Sequence, residues 1–139
     1  MTTIVKWQGS GMAFDATAST GHTVRMDAAP EVGGENTGPR PMEMVLMGLG
    51  GCTGIDVVMM LQKMSQDIKD VQIEIESERS SEIPKVFTKI HVHFKVYGSE
   101  LNDKKVKRAV DLSAEKYCSV SKMLEATVEM SHDFEIIEV

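Results

Sequence analysis

The chain has 139 residues, 42% of them hydrophobic, enough for one domain that buries roughly two-thirds of its unfolded surface. Charged residues make up 26% and the formal net charge is −6, so a phosphate-tracking nucleic-acid surface finds support only in Lys104, Lys105, Lys107 and Arg108, which read as a solvated helix face. The segment Met1–Trp7 has no basic region followed by an apolar run, and no charge-free stretch of about 18 residues marks a membrane span, so a cytoplasmic address with no membrane partner is expected.

Residues 2–8 and 12–18 alternate loosely around Gly9 and Gly11, and His22–Asp27 repeats the pattern, which predicts a small antiparallel N-terminal sheet of short strands. From Ala28 to Pro41 the composition turns to Pro, Gly, Glu and Asn, a loop that ends at a helix start. Pro41 suits the first helical position, where a missing N–H costs nothing, and Glu43 falls in the first turn, where the helix dipole favours negative charge. Nearly every position from Met42 to Met64 is apolar, and a helix apolar all round belongs inside something. Glu43 and Asp56 argue against a lipid span, so either the sheet wraps this helix or a second subunit covers its other face. Gly48, Gly50 and Gly51 weaken it by roughly 1 kcal/mol each relative to Ala. Close backbone packing would offset that weakness; a break that makes Cys52 the start of a fresh helix is the alternative.

Ile68–Glu78 and Val86–Tyr97 alternate as two long half-buried strands, the second with Val86, Thr88, Ile90, Val92, Phe94 and Val96 on one face. Asp103 is the expected cap of an amphipathic helix from Lys104 to about Tyr117. A short apolar turn through Met123 and Leu124 follows, and Thr127–Val139 returns to strand alternation. The expected architecture is α+β, with antiparallel sheet around a central hydrophobic helix and a second helix beside it, in a single domain over residues 1–139.

Two cysteines, Cys52 and Cys118, carry the chemistry. In a protein without secretion signals a thiol pair reads as catalytic or redox-sensing, because the cytosol keeps ordinary disulfides reduced. A cysteine at a helix N-terminus is activated by the dipole, whereas a free cysteine in tight packing is a small buried hydrophobe; both readings apply to Cys52. An oxidised nucleophile needs a second thiol to condense with before it over-oxidises, which gives the pair a joint meaning. His91 and His93 share the outer face of a strand, with no carboxylate or thiol of ligand spacing, so no metal is expected; His22 and His132 read as surface residues. No P-loop, GxGxxG or HExxH pattern calls for a cofactor. The eleven methionines read as adaptable core or interface packing.

Pro41-Met42-Glu43-Met44-Val45-Leu46-Met47 running into Gly50-Gly51-Cys52, together with Asp111-Leu112-Ser113-Ala114-Glu115-Lys116-Tyr117-Cys118-Ser119-Val120-Ser121, resembles the OsmC/Ohr family and its YhfA-like branch over nearly the whole chain. The resemblance implies an intertwined homodimer in which two sheets enclose paired central helices. It also implies thiol-dependent reduction of organic hydroperoxides, with Cys52 as the peroxidatic and Cys118 as the resolving residue, a thiol or dithiol as reductant, and no bound cofactor or metal. In the family's hydroperoxide reductases a Glu follows the Pro and an Arg near the N-terminus activates the thiol. Here Met42 takes the Glu position, Glu43 stands one residue late and no Arg lies between Gly9 and Phe14, so slow turnover is expected. Two rival readings keep the same fold: a redox sensor that uses the pair stoichiometrically, and a dimer whose cavity holds an apolar ligand.

Overall fold

Near its start the chain reverses at glycines, Gly9 and Gly11 with φ of 90° and 58° and Gly21 with φ of 89°, conformations that a side chain would strain. The computed structural model describes all 139 residues and divides them into two units, Met1–Met47 and Gly48–Val139. In the first, β1 (Ile4–Trp7), β2 (Phe14–Thr17) and β3 (Thr23–Met26) form an antiparallel meander in the order β1-β2-β3. Asp15 and Arg25, paired across β2 and β3, join in a bidentate ion pair at 2.7 and 3.1 Å.

The loop after β3 is organised by one carboxylate. Asp27, only 2% exposed, accepts hydrogen bonds from the N–H groups of Ala28, Glu35 and Thr37 and from the Thr37 hydroxyl, at 2.8, 3.1, 3.1 and 2.7 Å. These donors, the Thr37 hydroxyl foremost, hold its pKa down to about 2. Gly34 is fixed by space, since a Cβ there would lie 1.7 Å from the Ala28 carbonyl oxygen. The loop delivers Pro41 to the first position of helix α1 (Pro41–Lys63), where Glu43 Oε1 accepts from Arg40 N–H at 2.8 Å.

Helix α1 runs unbroken through Gly48, Gly50 and Gly51. Of the two expectations at the glycines, the fresh helix start at Cys52 is therefore overturned. Close packing explains Gly50 and Gly54, whose Cβ positions would meet Ile75 and Ile73 side chains at 3.3 and 3.6 Å, while Gly48 and Gly51 face open space. By length and composition α1 is apolar enough to cross a membrane. In this chain Leu49, Thr53, Val57 and Leu61, one per helical turn, are instead buried, and Ile55 and Met59 on another face are exposed.

In the second unit β4 (Asp67–Arg79), β5 (Phe87–Ser99) and β6 (Glu129–Glu138) form a sheet in the order β4-β5-β6. β4 and β5 are antiparallel, as expected. β6 pairs parallel with β5, from Lys89↔Glu129 to Gly98↔Glu138, because a helical crossover carries the chain back to the start of β5. This sheet is thus mixed rather than wholly antiparallel. The inner face of β5 buries Ile90, Val92, Phe94 and Val96. At its start the expected phase fails: pairing slips between Glu78↔Lys89 and Arg79↔Phe87, so Phe87 turns inward and Val86 is exposed.

The crossover holds α2 (Asp103–Leu112) and α3 (Ser119–Leu124). Asn102, not Asp103, caps α2, its side chain accepting from Lys105 N–H at 3.0 Å. Val106, Ala109 and Val110 are buried as the helical spacing requires, but the α-helix does not reach Tyr117. Residues Ser113–Tyr117 form a π-helical turn that leaves Tyr117 about half exposed and ends at Cys118.

Candidate functional site

Cys52 and Cys118 lie 66 positions apart (118 − 52) in the sequence and near enough in the second unit for the Cys52 sulfur to perturb the Cys118 thiol. Cys52 sits in mid-helix on α1 and is half-buried, so no helix N-terminus activates it; that expectation is corrected by the continuity of α1. Cys118 is fully buried at the junction of the π turn and α3. Its N–H closes the π turn on the Ser113 carbonyl at 2.9 Å, and its sulfur caps α3, accepting from Ser121 N–H at 3.4 Å. Burial, opposed by the Ser121 N–H and assisted by the neighbouring Cys52 sulfur, pushes the Cys118 thiol up to about 11. Both cysteines are free thiols. The arrangement therefore places a half-buried cysteine near a buried one that keeps its proton.

Around the pair lies a set of polar groups that sequence patterns did not single out. The Thr53 hydroxyl lies 2.6 Å from the Ser113 hydroxyl, which donates in turn to Asp56 Oδ2 at 3.0 Å. Thr53 and Ser113 are 2% and 0% exposed, so this chain of hydrogen bonds crosses the interior between α1 and the π turn. Asp56 stands one helical turn beyond Cys52, a spacing visible in the sequence; the π turn that brings Ser113 opposite Thr53 has no such signature.

Beside this chain is a cavity of about 210 Å³. Leu49, Val92 and Phe94 give it an apolar wall, and Thr53, Ser121 and His132 give it polar ones. His132 is not the surface residue the sequence suggests. Its ring packs edge-on against Phe94 and its Nε2 lies 2.9 Å from Asp111 Oδ1. Burial opposes ionisation of Asp111, yet Lys107 and His132 together hold its carboxyl below the usual range. Asp111, Glu115 and His132 bring potential metal-ligating atoms within 4.8 Å of one another, but Asp111 is already matched by His132 on one oxygen and Lys107 on the other.

His91 and His93 do share the outer face of β5, and the carboxylates missing from their sequence neighbourhood arrive from β6. His93 meets Asp133 through Nδ1 at 2.7 Å and Glu135 through Nε2 at 3.2 Å. Two carboxylate partners suit the doubly protonated ring, and hydrogen bonding to Asp133 and then Glu135 raises the His93 pKa. His91 joins Ser131 and Asp133 at 2.7 and 2.9 Å, so this face is a ladder of His–carboxylate contacts apart from the thiols.

Comparison with known proteins gives a consistent picture. The family described as OsmC-like protein matches residues 34–133. Protein YhfA of Escherichia coli (strain K12) is 48% identical over 136 residues, covering 96% of each chain. A solved structure from structural genomics, 45% identical, superposes with a TM-score of 0.90 and full coverage of both chains. The organic hydroperoxide resistance protein OhrB of Bacillus subtilis shares the fold at a TM-score of 0.64 and 22% identity, covering 97% of this chain and 98% of its own.

Proposed function

Because this chain belongs to the OsmC-like protein family, we propose that it is a thiol peroxidase that reduces organic hydroperoxides through Cys52 and Cys118. What supports the reading is a half-buried thiol, Cys52, near enough to the buried Cys118 to raise the pKa of that thiol. The Cys52 sulfur attacks the distal oxygen of the hydroperoxide; an S–O bond forms, the O–O bond breaks and the alcohol leaves, with Cys52 as a sulfenic acid. The Cys118 sulfur then attacks the Cys52 sulfur. The S–O bond breaks, the hydroxyl leaves as water with the Cys118 proton, and a disulfide closes. A thiol or dithiol reductant returns both electrons.

The name of the Bacillus subtilis neighbour, an organic hydroperoxide resistance protein, supports the substrate class. Met42 in place of the acidic residue that follows the Pro in the family's hydroperoxide reductases supports slow turnover. The reading includes one OsmC-like domain over residues 1–139, a cytoplasmic address and a homodimer. In support of the dimer, Ile55 is 67% and Met59 46% exposed on α1, beside an open apolar groove that they line with Gly51, Val58, Val71 and Ile73. Dithiothreitol-driven turnover of cumene hydroperoxide tests the activity. Loss of turnover in Cys52→Ser is expected, and unchanged turnover would overturn the reading.

A further inference from the structure

We propose that the Thr53–Ser113–Asp56 hydrogen-bond chain is a positioning device for disulfide closure, setting the reach between Cys118 and Cys52 and so the balance between disulfide and over-oxidation. This inference rests on the redox reading of the cysteine pair given above.

The observations lie on both sides of the pair. Thr53 directly follows Cys52 on α1. Ser113 opens the π turn, and its carbonyl accepts the N–H of Cys118 at 2.9 Å, so any movement of Ser113 is passed to the backbone that carries the buried thiol. The two hydroxyls touch at 2.6 Å, and the Ser113 hydroxyl is spent on Asp56 Oδ2 at 3.0 Å. The Ser113 hydroxyl donates to Asp56 Oδ2 and also reaches the Thr53 carbonyl oxygen at 3.4 Å, so with its proton used there the Thr53 hydroxyl is the donor in the 2.6 Å contact. A bond to a charged acceptor is directional and strong, and it strengthens the bond behind it. Val and Ala would fill these positions without the cost of burying two hydroxyls, so the polar atoms serve orientation rather than core volume. Attack of one sulfur on another requires near-collinear approach, and a displacement of about 1 Å can cost on the order of a hundredfold in rate.

In closure Cys118 forms the S–S bond with sulfenic Cys52, the S–O bond breaks, and water leaves. When closure lags, a second hydroperoxide converts the sulfenic acid to sulfinic acid and releases a second alcohol. Ser113 and Thr53 therefore act through Cys118 and Cys52 as positioning residues.

The test compares the parent with Ser113→Ala, Thr53→Val and the conservative Thr53→Ser. Each is treated with cumene hydroperoxide and, separately, with diamide, which drives disulfide formation without peroxidase chemistry, and the products are resolved by mass spectrometry. In Ser113→Ala the ratio of closure to first oxidation is expected to fall about tenfold, with more Cys52 sulfinic acid, and diamide closure is expected to slow likewise. Thr53→Val should move the same way and Thr53→Ser should restore the parent ratio. Parent-like closure by diamide in both Ser113→Ala and Thr53→Val would overturn the proposal. A parent that ignores hydroperoxide yet closes with diamide would defeat the peroxidase reading while leaving the positioning device open to the same diamide comparison. If Ser113→Ala does not fold, the Thr53→Val and Thr53→Ser pair decides alone.

Discussion

Cys118 holds its proton because it is buried, and the Cys52 sulfur adds to that effect. Removing the neighbour separates the two causes. In Cys52→Ala the midpoint of thiolate absorbance for Cys118 is expected to fall below about 11 yet stay above an ordinary thiol near 8.5, since burial is the larger cause. A midpoint at or below the ordinary value would contradict the buried environment. Asp27 gives a second test of a single group. Its folded pKa of about 2 lies below the ordinary 3.8, so the stability it contributes is present above about pH 4 and is lost as pH falls toward 2. Asp27→Asn should therefore lower the melting temperature at pH 7 and much less at pH 2. An equal loss at both values would show that the charge of Asp27 is not what holds the loop.

Among the elements, helix α1 combines a buried stripe with an exposed apolar face, and the exposed face is where a second copy is proposed to sit. Ile55→Glu is expected to turn a dimer into a monomer in sedimentation velocity; an unchanged dimer would place the interface elsewhere. Periodicity made much of this layer legible. The buried face of β5 from Ile90 to Val96 and the stripe Val106, Ala109, Val110 follow directly from spacings of two and of three to four. What periodicity missed has local causes. The slip near Glu78 reverses the inward face for Phe87, and Asn102 competes with Asp103 for the cap at adjacent positions. The π turn at Ser113–Tyr117 changes the helical phase without a proline or glycine to announce it. At the site, both cysteines were legible as residue types, whereas Thr53, Ser113 and the burial of His132 depend on contacts between residues 21 to 60 positions apart.

For the whole molecule, family membership establishes the fold, and the chemistry rests on what the two thiols do together. A sensor, a ligand-binding dimer and a peroxidase can share every strand and helix described above. They differ in electron flow. The most direct measurement is the intact mass of the reduced protein after one equivalent of cumene hydroperoxide, with Cys118→Ser alongside. Loss of two hydrogens in the parent and a trapped sulfenic acid on Cys52 in the variant is the expected result. Unmodified thiols in both proteins would contradict the peroxidase assignment.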